Sequence, residues 1–257
     1  MMRRHTQTPH PVASRLRFGQ DLYCSAVRTS RARARLRERT MVAEKEFWIE
    51  VPEVVRLFPT FVWKCRLRPE VHRPINAAIL NRLDEMRRGL PPLARGEAWQ
   101  SGHGLHEQED LRGLVSCIDA AVDTALAFLR VGHPQVLITG CWANVNAPGA
   151  AHKMHAHPNN FLSGVYYVQV PDEADTINFH DPRAQTTIIR PTVTELTAYN
   201  TDQVVISVSP GTLIVFPAWL PHSVDANQSE LLRISISFNV MFAAFAQTMG
   251  QPLWGEQ

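Results

Sequence analysis

The chain has 257 residues, of which 45% are hydrophobic and 19% are charged. These values are close to the globular average and exclude a chain that is disordered or fibrous as a whole. No stretch approaches the roughly 18 to 20 unbroken apolar residues of a membrane-spanning helix, so we predict no integral membrane protein. The four cysteines are scattered without a CxxC pair. That pattern argues against a zinc ribbon or a disulfide framework and predicts a reducing, cytoplasmic location.

Charge divides the chain near residue 40. Residues 1–40 contain ten arginines and two acidic residues, a local net charge of +8, whereas residues 41–257 carry 16 basic and 22 acidic side chains. Three interpretations of this leader remain open: an untranslated segment before a start at Met41, a disordered arm that contacts nucleic acid, or an organelle transit peptide. The acidic body argues against nucleic acid as the main partner. We predict a basic, disordered leader over 1–40 and a single domain over 41–257.

Helical spacing dominates the first half of this domain. Residues 61–67 alternate apolar and polar side chains, as a half-buried strand does. Residues 71–90 and 107–131 carry apolar side chains three and four positions apart, which predicts two amphipathic helices, the second ending before Pro134. Together they form a predicted helical flank over residues 70–131.

The hydrophobic period changes after Pro134. Short runs rich in β-branched and aromatic residues are separated by Pro, Gly, Asn and Asp, which is typical of strands and turns. The predicted strands are 136–145, 161–170, 176–179, 204–208, 213–216 and 231–240. Helices followed by many short strands predict an α+β fold with a sandwich or jelly-roll core over residues 135–241.

The densest polar cluster is His-Lys-Met-His-Ala-His-Pro at 152–158. Residues i and i+2 of a strand share a face with Cα atoms about 6.6 Å apart, so His155 and His157 can bind one metal ion through bonds of about 2.1 Å. His152 has the opposite parity and should face away unless a bulge intervenes. His222 is a candidate third ligand, because strands distant in sequence become neighbours in a jelly roll. A polar surface without a bound ion remains the alternative.

A lone arginine lies near the start of the last predicted strand. Arg233, Ser235 and Ser237 share one face of this strand. A buried arginine needs an anion, and its planar guanidinium suits a carboxylate. The arginine would also be explained by an ion pair with a carboxylate of the protein itself, or by a strand face that is exposed to solvent. By parity we expect Tyr167 to point inward toward the same anion and Tyr166 to lie in the core.

The order of these motifs resembles the 2-oxoglutarate- and Fe(II)-dependent oxygenases of bacteria and phages. The resemblance covers about Val54 to Val240. It is carried by His155-x-His157, Leu-Ser-Gly-Val-Tyr-Tyr-Val at 162–168, Asp181-Pro-Arg183, Pro-Gly-Thr-Leu-Ile-Val-Phe-Pro-Ala-Trp-Leu-Pro-His at 210–222, and Arg233-Ile-Ser-Ile-Ser-Phe-Asn239. It implies a double-stranded β-helix, which is a cupin-like jelly roll, with flanking N-terminal helices. It also implies Fe(II) on His155, His157 and His222, and the distal carboxylate of 2-oxoglutarate on Arg233, helped by Ser235 and Tyr167.

The second metal ligand differs from that of the wider superfamily, in which a carboxylate occupies this position. His157 stands there, so three neutral imidazoles leave one more positive charge on the site. Asp181 could supply a carboxylate from the following strand, although Asp-Pro also forms ordinary turns. Arg183 is a candidate substrate-binding residue, and the alternative is an ion pair between Arg183 and Asp181.

The resemblance implies a dioxygenase that hydroxylates an unidentified small molecule or other substrate and releases succinate and carbon dioxide. Candidate substrate-facing residues, each also explicable by turns or core packing, are Trp142, Asn144, Asn159, Asn160, Arg183 and Trp219. Two alternatives remain open. One is a three-histidine cupin-type dioxygenase that does not use 2-oxoglutarate, and the other is a non-catalytic jelly-roll module that binds a metal or a carboxylate.

Overall fold

The computed structural model describes residues 16–18, 53–132, 135–183 and 191–248. The chain divides into two units. The first comprises Met1–Phe18 and Val62–Gln257 and contains every helix and strand described below. The second unit is Gly19–Phe61, of which residues 53–61 are described and form neither helix nor strand.

Two long helices form the predicted flank. Helix α1 (Pro69–Met86) begins at a proline, which loses no hydrogen bond in the first turn, and ends shortly before Gly89, whose φ is +85°. Helix α2 (Arg112–Phe128) is shorter than the predicted 107–131. Two 3₁₀ turns (Leu105–Glu107 and Glu109–Leu111) precede it, because Gln108 between them has extended backbone angles that interrupt the helical hydrogen bonds. A third helix, α3 (Ala243–Thr248), follows the last strand.

The described strands form two sheets. In chain order they are β1 (Leu16–Phe18), β2 (Trp63–Arg66), β3 (Ala98–Gln100), β4 (Val136–Asn146), β5 (His152–His155), β6 (Leu162–Gln169), β7 (Thr176–His180), β8 (Gln203–Ser207), β9 (Thr212–Pro217), β10 (His222–Val224) and β11 (Arg233–Phe242). The larger sheet has the order β2-β9-β6-β11-β4-β3, and the smaller sheet has the order β1-β8-β7-β10-β5.

Strands that are distant in sequence pair antiparallel in both sheets. In the larger sheet β11 lies between β6 and β4, and in the smaller sheet β10 lies between β7 and β5. This crossing of strands between two facing sheets confirms the predicted double-stranded β-helix. It also brings the end of β5 beside the start of β10, which are 67 residues apart in the chain.

Alternate residues of β6 lie in two different hydrophobic clusters. Tyr166 belongs to the cluster that joins the larger sheet to α1 and α2, which also contains Ile79, Ile118 and Ile236. Tyr167 belongs to the smaller cluster with Ile177, Phe179, Phe216 and others. The parity prediction for these two tyrosines is therefore confirmed. Burial of each large side chain contributes on the order of 1.5–3 kcal/mol to folding.

The predicted leader is described only at β1, which pairs in parallel with β8. Its other residues lie outside the described ranges, so the boundary at residue 40 and the disorder of the leader stay predictions. Within the described part of the chain, no helix is long and apolar enough to cross a membrane.

Candidate metal centre and cosubstrate cavity

Three histidines lie close together where the end of β5 pairs with the start of β10. His155 at the end of β5 lies directly opposite His222 at the start of β10. His157 follows two residues later, and its backbone N–H donates to the Ala218 carbonyl at 2.8 Å, which holds it beside the turn leading to His222. Candidate ligand nitrogens of the three rings all lie within 4.8 Å of one another. The three rings could therefore hold one metal ion, whose bonds of about 2.1 Å would draw the nitrogens closer together.

Backbone hydrogen bonds orient two of the rings. Nδ1 of His155 donates to the Lys153 carbonyl at 2.7 Å, and Nδ1 of His222 donates to the Leu220 carbonyl at 3.0 Å. Because a carbonyl oxygen only accepts, each Nδ1 carries the ring proton and each Nε2 keeps a lone pair for a metal. Burial lowers the pKa of His222 to about 4, and burial with the nearby His155 lowers the pKa of His157 to about 4. Both rings are therefore neutral ligands at pH 7.

Asp181 does not join this cluster. Its carboxylate accepts hydrogen bonds of 2.6 and 2.9 Å from the Arg183 guanidinium, which lowers its pKa. The Arg183 side chain is 71% exposed and does not line the cavity described below. The structure shows the ion pair that was left open as the alternative for these two residues, and a role of Arg183 in substrate binding stays a prediction. Three imidazole donors remain, a set that suits Fe(II).

A cavity with about 450 Å³ of space, partly open to solvent, adjoins the histidines. The larger sheet forms one wall, where Gln100, Asn144, Ser235 and Tyr167 lie in register across β3, β4, β11 and β6. Ser235 and Tyr167 are thus placed in the cavity, as expected for residues on one face of these strands. Trp142 adds an aromatic surface, with its ring centre 5.9 Å from that of His157.

Arg233 is buried in the same cavity and is 3% exposed. Its Nη2 donates to the Thr176 carbonyl at 3.1 Å, but Nε has no hydrogen-bond partner. No described carboxylate forms an ion pair with it, although the charges of Asp175 and Asp225 are near enough to raise its pKa against the effect of burial. The hydroxyl of Tyr167 is also buried and makes no hydrogen bond of good geometry, but it lies close enough to Arg233 for the two groups to interact, and the ring of Tyr167 lies 5.4 Å from the guanidinium carbon. Burial raises the pKa of Tyr167 to about 12, so the phenol is a protonated donor.

Arg233 Nε and the Tyr167 hydroxyl are thus two buried donors without a well-formed hydrogen bond at one place. A buried polar group without a partner destabilises a protein by about 1–3 kcal/mol, and a buried charge by more. A carboxylate between Arg233 and Tyr167 would satisfy both groups.

His152 faces the cavity, contrary to its simple strand parity. The register pairs are His222 with His155 and Val224 with His152, so two residues of β5 between these pairs oppose one residue of β10. This β-bulge inserts one residue and turns the side chain of His152 to the inner face. The sequence analysis allowed for a bulge at this point, and the structure contains that bulge.

Two further candidate substrate contacts lie outside the cavity. Asn159 is exposed in a turn with φ of +65°, a conformation that asparagine tolerates well. Trp219 is 53% exposed in the tight turn between Pro217 and Leu220. Asn160 also serves a turn, since it bonds to the Thr139 hydroxyl and the Pro158 carbonyl. Of the predicted set only Trp142 and Asn144 line the cavity.

Sequence reasoning missed Gln100, because the three-residue strand β3 has no recognisable hydrophobic period. Its side-chain amide donates to Asn144 Oδ1 at 2.7 Å, and Asn144 Nδ2 donates to the Ser237 hydroxyl at 2.9 Å. The three groups form a chain of uncharged polar contacts along the cavity wall. Gln100 lies directly opposite Asn144 because β3 pairs with β4, and this pairing could not be predicted from the sequence.

Comparison with known proteins agrees with this geometry. Residues 140–239 match the family model described as "Putative 2OG-Fe(II) oxygenase". This segment includes all three histidines and Arg233. A comparison with curated proteins found no match.

Solved structures show the same fold at low sequence identity. A prolyl hydroxylase from Trichoplax adhaerens, in complex with a hypoxia inducible factor peptide fragment, has a TM-score of 0.51 and 14% identity, over 74% of this chain and 87% of that chain. The α-ketoglutarate-dependent carbocyclase SnoK from nogalamycin biosynthesis has a TM-score of 0.53 and 17% identity, over 77% and 90% of the two chains. The epimerase SnoN, in complex with Fe3+, α-ketoglutarate and nogalamycin RO, has a TM-score of 0.51 and 16% identity, over 77% and 88%.

These likenesses concern the fold, whereas the match over 140–239 concerns the segment that carries the site. That match and the three-histidine cluster together make residues 140–239 of the chain similar to the 2OG-Fe(II) oxygenase family.

Proposed function

We propose that His155, His157 and His222 hold Fe(II) and that Arg233, Tyr167 and Ser235 hold the distal carboxylate of 2-oxoglutarate, so that the enzyme hydroxylates a substrate yet to be identified. The observation that carries this assignment is the pair of buried donors without a well-formed hydrogen bond, Arg233 Nε and Tyr167 OH, in the cavity that the histidine cluster adjoins.

The two ends of 2-oxoglutarate match the two ends of the cavity. Its keto-acid end chelates a metal, and its other end is a carboxylate that suits a planar guanidinium. Bound Fe(II) supplies the chemistry in which O₂ and 2-oxoglutarate yield succinate and carbon dioxide while a substrate C–H becomes C–OH.

The residues of the chain contribute binding and shielding. The Arg233 cation and the neutral Tyr167 phenol donate to one carboxylate, and the Ser235 hydroxyl lies next to Tyr167 in register. Val165, Ile177 and Val224 line the cavity as apolar walls, so water is reduced around the ion pair and the attraction strengthens. His157 and His222 are neutral at pH 7, because their pKa values are lowered to about 4.

The substrate is proposed to bind beside Trp142 and Asn144, in the part of the cavity that the exposed Gln100 also lines. The polar groups there are uncharged, so we propose that the reacting part of the substrate is uncharged as well. The single-domain organisation after residue 40, the small-molecule partners and the cytoplasmic location remain parts of this proposal.

The test is a measurement of succinate. Purified protein is loaded with Fe(II) without oxygen, mixed with 2-oxoglutarate and exposed to air, and succinate is quantified over time. Slow uncoupled succinate release from the wild type, absent from His222→Ala, supports the proposal. The control Met154→Ala changes an exposed side chain on β5 between the site residues and should retain the release.

Each alternative predicts a different result. A cupin-type dioxygenase would bind Fe(II) at the same histidines but show no affinity for 2-oxoglutarate. A non-catalytic module would bind both without succinate release. Absence of 2-oxoglutarate binding would reject the proposed activity, whereas binding without release would favour the non-catalytic module only once the substrate is supplied.

A further inference from the structure

The cavity opens to solvent between the edge strands of the two sheets. Of the described residues that line it, only Gln100 and His155 are exposed. Gln100 lies on β3 at one edge of the larger sheet, and His155 lies on β5 at one edge of the smaller sheet. A substrate that reaches the three histidines therefore passes along one of these two strand edges.

The segment around β3 uses only one side of its backbone. The Ser101 N–H donates to a carbonyl of β4 at 3.1 Å, and the His103 carbonyl accepts from an N–H of β4 at 2.7 Å. In an antiparallel pair, alternate residues direct their backbone groups toward the same partner strand. The backbone groups of Ala98 and Gln100 therefore face away from β4. Within the described ranges, neither residue makes a backbone hydrogen bond beyond the pairing of β3 with β4.

This edge also lacks the charges that commonly protect a sheet edge. At the opposite edge of the same sheet, β2 carries the exposed cations Lys64 and Arg66. Charged side chains on an edge strand hinder its pairing with another chain. Positions 98, 100 and 102 instead hold alanine, glutamine and glycine, and all three residues are exposed. A Cβ added at Gly102 would meet nothing within 4 Å, so the space beside this edge is open.

We infer that the substrate is a polypeptide segment, which adds to the outer edge of β3 as an extended strand. Only an extended polypeptide presents N–H and C=O groups at the spacing that an open strand edge offers. This inference deepens the proposed function and rests on it. The cosubstrate is still the small molecule 2-oxoglutarate.

The position of β3 decides where the side chains of such a strand lie. An added strand lies about 4.8 Å from β3, and its successive side chains point to opposite faces of the sheet. Every second side chain is then on the same face as Gln100, over the mouth of the cavity. The wall behind Gln100 consists of Trp142, Asn144 and Ser237, which are all uncharged. The side chain that enters the cavity is therefore uncharged as well.

The reaction replaces one C–H bond of this side chain with C–OH. One atom of O₂ enters the new hydroxyl group, and the other enters succinate as 2-oxoglutarate loses carbon dioxide. The modified peptide is therefore heavier by one oxygen atom, which gives the substrate class a direct readout.

The experiment uses mixtures of acetylated peptide amides of about ten residues, the length of a long strand. Each mixture has one fixed central amino acid and random flanking residues. Binding of fluorescently labelled mixtures to anaerobic protein loaded with Fe(II) and 2-oxoglutarate is measured by anisotropy. Unlabelled mixtures are then exposed to air with the protein and analysed by mass spectrometry. Because main-chain hydrogen bonds do not depend on sequence, mixtures are adequate probes of the edge.

Two substitutions at one position test the backbone contact. Ala98→Pro removes the outward N–H but no hydrogen bond to β4, and proline is tolerated where its nitrogen faces solvent at a sheet edge. Ala98→Val is the matched control, since it keeps the N–H and favours an extended backbone. Both variants are checked for iron content, for the melting transition and for succinate release without peptide. A second set of peptides, with every backbone amide N-methylated, tests the same contact from the side of the ligand.

We expect Ala98→Val to bind the peptides like the wild type and Ala98→Pro to bind them about three- to tenfold more weakly, as for loss of one hydrogen bond. The N-methylated peptides should not bind. Mixtures with an uncharged central residue should gain an oxygen atom and increase succinate release, whereas mixtures with central lysine or glutamate should do neither.

Several results would overturn the inference. These are binding of no mixture to the wild type, equal binding of the N-methylated peptides, or normal binding by Ala98→Pro. A wild-type dimer that Ala98→Pro converts to a monomer in sedimentation would show that the edge pairs with a second copy of the chain instead. If Ala98→Pro melts early, the comparison with N-methylated peptides still decides the question on the wild type.

Failure of the proposed function would look different. In that case the wild type would have no affinity for 2-oxoglutarate, even if peptides bound at β3 with the expected dependence on Ala98. If the wild type binds 2-oxoglutarate and releases succinate but binds no peptide mixture, only the polypeptide substrate is rejected.

Discussion

Replacing Arg233 with leucine is the sharpest test of the cosubstrate site. The substitution removes a cation that is 3% exposed and whose Nε has no protein partner, while leucine keeps the position apolar. Truncating one side of a buried, hydrogen-bonded charge pair costs about 2–5 kcal/mol of binding free energy. The dissociation constant for 2-oxoglutarate should therefore rise by roughly 30- to 4,000-fold.

The stability of the ligand-free protein should respond differently. Without the anion, the buried guanidinium is only partly satisfied by the Thr176 carbonyl. Removing an uncompensated buried charge is often neutral or stabilising. We therefore expect the melting transition of ligand-free Arg233→Leu to be no lower than that of the wild type.

The assay is calorimetric titration of 2-oxoglutarate into anaerobic Fe(II)-loaded protein. Arg95→Leu is the matched control, because Arg95 is exposed and pairs with the exposed Glu230 at 3.2 Å. Surface pairs of this kind contribute little, so the control should bind like the wild type. Unchanged cosubstrate affinity in Arg233→Leu, with normal iron content, would refute the reasoning from unpartnered donors.

Four further outcomes are expected. His222→Ala should lose stoichiometric iron, measured by metal analysis after desalting, and retention of iron would remove His222 from the site. Tyr167→Phe removes only a hydroxyl that makes no well-formed hydrogen bond and should weaken 2-oxoglutarate binding by about tenfold with unchanged stability. Gly164→Ala would force a methyl group into the ring of Phe238, so chemical denaturation should show a loss of about 1–3 kcal/mol. The low pKa values of His157 and His222 predict a pH effect, because their unfolded value of 6.5 exceeds the folded value of about 4. The metal-free protein should lose stability as pH falls from about 6.5 to 4, and a flat urea midpoint across this range would contradict the buried, neutral state.

The three-histidine set has a consequence for charge in the site. Three neutral imidazoles leave the full charge of Fe(II), and Arg233 adds another positive charge. Bound 2-oxoglutarate is a dianion, so the filled site would retain one net positive charge. A carboxylate ligand at the position of His157 would remove it. The uncharged wall of Gln100, Asn144 and Ser237 does not compensate this charge.

Local patterns in the sequence were sufficient for most elements and for the site's principal donors. Period-2 alternation placed Tyr166 in the core and Tyr167 in the cavity, because successive side chains of any strand face opposite ways. The same rule put Arg233 and Ser235 on one face. The spacing of His155 and His157 also required only local geometry. These conclusions do not depend on which strands pair with the strand that carries the residues.

The remaining features depend on partners that are far away in the chain. The inward turn of His152 comes from a bulge defined by its pairing with β10, and Gln100 enters the cavity wall only because β3 pairs with β4. Sequence alone also could not decide whether Asp181 binds a metal or Arg183, since both are polar residues near a strand end. Register between distant strands depends on tertiary packing, and a shift of one residue moves a side chain from one face of a sheet to the other.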